Sequence, residues 1–300
     1  MKIINNYLSK GLSILGYEVR KKSSSVAEDK LYRSLYSEDD LENKMFLNVG
    51  AGLFKHKYWT NVDYASEWYA NNTIDINLDL MKCGPIPMPS NSQNLIYSSH
   101  TIEHLTNDAV QNFFNEAYRI LKPDGFFRVS TPNTFFDWLA LQNNNRNWFY
   151  YIDNYEKNED ERRRVKMNGR PSEYSLKQWF LSHFAAQLSF MYDGPVENKI
   201  SDEEFDNIFS NNCLNDALNI LIKKIDLTFH SQTPGYHINW FTYEKIERML
   251  TTAGFSLVYR SGWGQSLNPV LQNTSIFDIT HPKISLYVEA VKKSKVINKE

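Results

Sequence analysis

From residue 45, short apolar stretches with turn-rich borders follow one another along the chain: MFLNV (45–49), TNVDY (60–64), TIDIN (73–77) and NLIYSS (94–99). Their length and apolar character predict strands of a mostly parallel sheet. The period then changes. Val110, Phe113, Phe114, Ala117 and Leu121 recur at helical spacing, with Thr106 or Asn107 available as cap, which predicts a helix from about Asn107 to Leu121. KPDG (122–125) reads as a turn and FFRVST (126–131) as the next strand. Strands alternating with helices predict an α/β, doubly wound sheet.

Residues 134–235 interrupt that rhythm. One helical face carries Leu176, Trp179, Phe180, Phe184 and Leu188; a second stretch opens on Ser201 and Glu204 as a capping box and continues through Leu214, Leu218, Leu221 and Ile225. Loops ahead of them are dense in Trp and Tyr, and EKNEDERRR (156–164) reads as a solvated face. Alternation resumes at Thr242 with a helix to Ala253, Gly254 as its C′ residue, then the strands FSLVYR and ISLYVEAVK. Four segments are therefore expected: an N-terminal arm (1–43), a first half of the sheet domain (44–133), a helical insertion (134–235) and a closing part (236–300). In the arm, Ile3, Ile4, Tyr7, Leu8 and Leu15 recur at helical spacing ahead of RKK (20–22). Such a basic helix packs on its own domain or a partner, or makes weak contact with an anionic membrane surface.

Composition narrows the function classes. Three hundred residues, 42% hydrophobic and 23% charged, suit one sizeable soluble domain with an insertion. A formal charge of −2 lacks the basic excess of a general nucleic-acid binder. Cys83 and Cys213 stand far apart, so neither a zinc ribbon nor a disulfide framework is expected. No apolar run reaches membrane-spanning length and no secretory signal is recognisable, so a cytoplasmic location is expected, with the inner membrane face open to the arm.

The chemistry concentrates at the predicted strand ends. Gly50 and Gly52 close the first strand, where missing side chains let a ligand approach the backbone. Asp63 ends the second, placed to accept hydrogen bonds from ribose hydroxyls. The dinucleotide fingerprint needs a third glycine at residue 55, and that residue is Lys55. A nucleoside without a diphosphate is the expected ligand. Asp79 and Leu80 follow the third strand, positioned to read an adenine edge.

With IYSSHTIEHL (96–105) and EAYRILKPDGFFRVSTPN (116–133) following in order, the chain resembles class I S-adenosylmethionine-dependent methyltransferases, most of all the small ones found with surface-polysaccharide biosynthesis genes. HINWFTYEKIERMLTTAGF (237–255) resembles that family's closing helix. The resemblance spans roughly residues 44–133 and 236–292. It implies a seven-stranded Rossmann-like sheet with the last strand antiparallel, a helical lid, and S-adenosylmethionine held by Asn48, Gly50, Ala51, Gly52, Asp63, Tyr64, Asp79, Leu80, Ser99 and His100. Two departures stand out. Asn48 replaces the usual acid, so its amide oxygen would help hold the methionine ammonium. Only six residues separate Gly52 from Trp59, too few for the usual first helix.

Methyl transfer to a hydroxyl needs alignment and a base. His100, His104 and His237 are the candidates, with His183 assigned to packing and Pro132 and Asn133 expected on the substrate side. HTIEH (100–104) also matches the H-x-x-E-H pattern of inverted zinc peptidases, which requires both histidines on one helix. Glu103 and His104, with His237, form a lesser candidate for a magnesium-like ion; the leading expectation is no metal. Trp138, Trp148, Tyr150, Tyr151 and Trp179 offer flat faces for a sugar ring or form the insertion's own core. The leading expectation is an O-methyltransferase for a sugar, nucleotide-sugar or glycan. A lipid-like or aromatic acceptor and a silent cofactor-binding module are the alternatives. Lys55 counts against a dehydrogenase. Acceptor identity and oligomeric state stay open.

Overall fold

The computed structural model describes residues 25–65 and 74–294. The helical arm around Ile3–Leu15 and the RKK run lie outside the described residues. Two short helices, α1 (Ser25–Leu35) and α2 (Glu38–Glu42), precede the first strand, α2 closed by a capping box between Ser37 and Asp40.

The strands are β1 (Phe46–Val49), β2 (Trp59–Asp63), β3 (Ile76–Asn77), β4 (Gln93–Ser99), β5 (Leu121–Pro132), β6 (Leu257–Ser261) and β7 (Ser285–Val291). They form one sheet in the order β3-β2-β1-β4-β5-β7-β6. β7 runs antiparallel between β5 and β6; the remaining pairings are parallel. β1 pairs with β2 on one side and β4 on the other, so strand order reverses there and a crevice opens at the C-terminal ends. The doubly wound, seven-stranded reading holds.

Alternation along the strands divides the core. Leu47, Val49, Ile96, Phe127, Val129 and Val288 face α3 (Asn107–Ile120) and the closing helix Tyr243–Ala253. Phe46, Leu95 and Tyr97 face the opposite side, where Tyr32 of α1, Leu41 of α2 and the 270–277 segment cover the sheet. Trp59 donates its indole N–H to the Tyr32 hydroxyl at 2.6 Å beneath that cover. No helix intervenes between β1 and β2. The N-terminal helices and the 270–277 segment cover the flank instead.

Local predictions are refined in three places. Thr106, not Asn107, caps α3, accepting from the Ala109 amide. Around KPDG the chain bends, with Asp124 at φ 63°, yet β5 runs through it from Leu121, at a register shift against Gln93 and Leu95. Among the described residues of TIDIN, Ile76 and Asn77 join the ladder.

The insertion adds α4 (Thr134–Gln142), α5 (Asp153–Lys157), α6 (Glu159–Arg164), α7 (Leu176–Ser182), α8 (Asp202–Asn211), α9 (Leu214–Ile222) and α10 (Leu227–Gln232). It builds its own core from Phe149, Trp179, Phe180, Phe184, Phe205, Leu218 and Leu221, with Trp240 closing it. The helix expected to start at Ser201 is two helices. Asn212 and Cys213 are extended, Cys213 at φ −66°, ψ 160°, so the chain breaks before restarting at Leu214. α11 (Tyr243–Ala253) ends on Gly254 at φ 112°, as its spacing predicts.

On the face opposite α3, Arg128 is wholly buried between Asp278 and Glu289, at 2.5 Å and 2.8 Å. It also donates to the Gly262 and Gln265 carbonyls, tying β5 to the loop after β6. Removing the guanidinium strands two buried carboxylates, so Arg128→Met is expected to cost about 3–5 kcal/mol. Denaturant unfolding checks this; a change below about 1 kcal/mol would show that the carboxylates find other partners.

Candidate active site

A cavity of about 570 Å³ opens at the switch point between β1 and β4. Its walls carry every residue expected to hold a nucleoside cofactor: Asn48, Gly50, Ala51, Gly52, Asp63, Tyr64, Asp79, Leu80, Ser99 and His100. β1 delivers Asn48 and the glycine turn, β2 delivers Asp63, and β4 delivers Ser99 and His100.

Gly50 stands at φ 72° and donates its amide to the Val62 carbonyl. A Cβ there would lie 2.0 Å from Thr101 Oγ1, so the turn and the β4 loop can pack this closely only around glycine. At Gly52, φ 53°, a Cβ would meet nothing within 4 Å; its bare face borders the cavity. Asp63 binds the turn to β2. One carboxylate oxygen accepts the Gly52 amide and the other the Tyr64 amide, each at 2.7 Å. Burial raises its pKa, and the two amides and His104 pull it back. Asp79 accepts the Met81 amide at 3.0 Å and thereby caps the 3₁₀ turn that carries Leu80.

Asn48 is buried, and its Oδ1 has no hydrogen-bond partner. A buried acceptor left bare in a cavity wall calls for a donor from outside the chain. An ammonium group supplies one. Together with the open Gly52 face, this residue set fits S-adenosylmethionine.

Beyond the methionine end, six of the seven histidines gather. His100 stands at φ 51° after β4, with Nε2 2.7 Å from Ser285 Oγ and Nδ1 3.0 Å from Glu103 Oε1. His104 donates Nδ1–H to the Tyr236 carbonyl at 3.1 Å, and His237 donates Nδ1–H to the His183 carbonyl at 2.8 Å. His183 is buried and paired with Asp137 at 2.7 Å, His230 Nε2 contacts the His104 carbonyl, and the His281 ring lies 6.0 Å from that of His100.

The charges divide sharply. Burial alone would raise Glu103, but His100, then His104 and His237, outweigh it and hold the carboxyl at about 2. Burial lowers His104, and burial with the neighbouring His104 pushes His237 down to about 3.

His100 and His104 line the cavity; His237 lies behind them and is not among its walls. Nor are Pro132 and Asn133. Pro132 pairs with Ser285 in the sheet, and Asn133 caps α4 by accepting the Phe136 amide. H-x-x-E-H does not take its peptidase form, because His100 sits in a left-handed loop and Ile102–His104 is a single 3₁₀ turn. Trp179 is buried in the insertion core with its N–H on the Pro171 carbonyl, which corrects the expectation that it could stack on a substrate. Trp138 stacks on Phe209, and Trp148 donates to Asp137. Tyr151, with Tyr155, Asn154, Asn158, Glu161 and His281, lines a second cavity of about 270 Å³. Sequence reading missed Thr101, His230, His281 and Ser285. They are scattered over 185 residues of chain with no shared spacing, so no local signal marks them.

Comparison with known proteins agrees with the crevice. Residues 55–129 match the family model described as a methyltransferase domain. A probable S-adenosylmethionine-dependent methyltransferase of Mycolicibacterium smegmatis (strain ATCC 700084 / mc(2)155) is 42% identical over 48 residues, 16% of this chain and 18% of that protein's length. Solved structures with a similar chain path include an S-adenosylmethionine-dependent methyltransferase from Mesorhizobium loti (14% identity, 82% of this chain and 89% of that one, TM-score 0.36). Another, from Archaeoglobus fulgidus, gives 12%, 89%, 93% and 0.37. At such scores the fold assignment rests on strand order rather than on these likenesses. The stretch that matches the methyltransferase-domain model, residues 55–129, supplies β2 to β4, most of β5 and much of the crevice wall.

The buried histidines set an acid limit. Burial lowers His56 and His230 from 6.5 to about 4 and His237 to about 3. Below pH 6.5 the unfolded chain takes up protons that these rings refuse, so stability present above that pH is lost as pH falls toward 4. The thermal midpoint is expected to drop steeply between pH 6.5 and 4.5, and less steeply in His230→Gln. Equal slopes in the two proteins would show that the buried His230 ring does not set the acid limit.

Proposed function

We propose that the protein is an S-adenosylmethionine-dependent O-methyltransferase acting on a hydroxyl of a sugar, nucleotide-sugar or glycan. The observation that carries it is the pairing of the Asn48–Gly52–Asp63 crevice with a carboxylate-backed histidine, His100, in the same cavity wall.

When bound, S-adenosylmethionine supplies an activated sulfonium methyl. The chain's own work is then orientation, water exclusion and proton removal. Asn48 offers its bare oxygen to the ammonium group, Asp63 its carboxylate to the ribose, and Asp79 with Leu80 borders the base. Orientation of this kind accounts for about 7–11 kcal/mol of barrier in well-aligned reactions. The Glu103 carboxylate, 3.0 Å from Nδ1, stabilises the imidazolium that forms when His100 takes the acceptor's proton. Leu227, His230, Ser231 and Pro234 from the insertion complete the cavity wall and shield it from water.

A sugar-type acceptor is supported by the second cavity, on the far side of His281 and Tyr151. Its amides, carboxylate and phenol rings are groups that bind hydroxylated rings. Exposed Phe135, Phe136 and Leu139 on α4 favour a second reading, a lipid-like acceptor. No helix among the described residues is long and apolar enough to cross a membrane. The proposed partners are a small molecule or glycan, not nucleic acid, in the cytoplasm.

Calorimetry should show S-adenosylmethionine binding that weakens at least about tenfold in Asp63→Ala, the cost of one charge-assisted hydrogen bond. Absent or unchanged binding would end the proposal. With an acceptor found by screening nucleotide-sugars and glycans against labelled cofactor, His100→Gln should lower kcat at saturating cofactor about 10²–10⁴-fold. Unaltered kcat would remove His100 from the mechanism.

A further inference from the structure

Behind His100 lies a group of which the proton-transfer reading uses only Glu103. Ligand atoms of Glu103, His104 and His237 all lie within 4.8 Å of one another. Glu103 is 1% exposed. Its Oε2 accepts from the Thr131 hydroxyl, while Oε1, although 3.0 Å from His100 Nδ1, has no donor in line. A buried carboxylate oxygen without a hydrogen bond is rare and costly.

The two imidazoles complete the pattern. Each donates Nδ1–H to a backbone carbonyl, His104 to Tyr236 and His237 to His183. That bond fixes the tautomer and leaves Nε2 as the lone-pair nitrogen, the arrangement in which metal-bound histidines are held. The backbone keeps the two rings together. Glu103's carbonyl accepts the amides of Ile238 at 2.8 Å and Asn239 at 3.1 Å, docking the residues after His237 onto the turn that carries His104. The rings sit 4.8 Å apart at 74°.

We propose that Glu103, His104 and His237 bind one divalent transition-metal ion beside the cofactor cavity. Two neutral imidazoles and one carboxylate select zinc, manganese, iron or cobalt over magnesium and calcium, which take all-oxygen sites. Small side-chain rotations bring the ligand atoms to bonds of about 2.0–2.2 Å. Of the three ligands His104 lines the cavity, so an ion held there would border the space where an acceptor would lie. There the ion coordinates neighbouring hydroxyl oxygens and holds one toward His100; this use rests on the methyl-transfer reading, whereas binding of the ion does not.

The test uses the full chain, stripped with chelator and titrated with Co²⁺. Wild type should bind one equivalent with visible d–d bands of a four- or five-coordinate site, and Zn²⁺ should displace it. Glu103→Gln, which keeps the carboxylate's shape, and His237→Ala should lose affinity beyond the roughly 10–100-fold that outer-shell changes cost. His281→Gln, a nearby histidine outside the group, should stay within about twofold. Circular dichroism and S-adenosylmethionine binding on each variant report folding separately. Wild type that binds no Co²⁺, or binding that survives in both Glu103→Gln and His237→Ala, overturns the site. Loss of cofactor binding by wild type with Co²⁺ binding intact would sink the methyltransferase reading and leave the metal site standing.

Discussion

The Glu103 carbonyl is the joint on which the site turns. It accepts two backbone amides, from Ile238 and Asn239, and so fastens the exit of the insertion to the loop after β4. Asn239 reinforces the joint by donating its side-chain amide to the Leu105 carbonyl, and buried Lys245 donates to Asn239 Oδ1 from below. Without these bonds the histidines of the insertion side would have no fixed relation to those of the sheet. The carboxylate of the same residue sits among them, so one side chain and its own backbone organise both charge and geometry.

Two further devices make this arrangement rigid. The insertion carries a core of its own, and Trp240, just past His237, plugs into that core. Beneath the sheet, Arg128 holds the loop after β6 and, through Asp278, the segment leading to Ile279, Thr280 and His281. Ile279 and Thr280 form one wall of the cavity, and His281 links that segment to Tyr151. The cofactor crevice and the proposed acceptor side are thus supported by different cores, which meet at the histidine cluster and where Phe241 pairs with Thr134.

Legibility followed the range of the interactions concerned. The strands around Phe46–Val49 and Gln93–Ser99, the stripe of α3 and the cap and C′ glycine of α11 rest on contacts a few residues apart. Their pattern is written in the local sequence. The crevice residues were equally legible, because in a doubly wound sheet a strand's end has only one place to go. The break at Asn212–Cys213 was not. Apolar residues continue at helical spacing across it, and only the packing of α8 against α9 around Phe205 and Leu218 requires the chain to turn. Trp179 misled for a related reason. A large aromatic reads the same whether it faces a ligand or a core.

By itself the chain's order of apolar runs, glycines and carboxylates determined the sheet, its switch point and the nucleoside-sized crevice, since each depends on strand periodicity and on backbone conformations that only particular residues adopt. Tertiary structure alone decided which polar groups meet. It placed His237 behind His104, drew in His183, His230 and His281, and left Asn48 and Glu103 each with a bare oxygen. Those facts arise from contacts across more than a hundred residues of chain, where neither spacing nor composition carries information about distance.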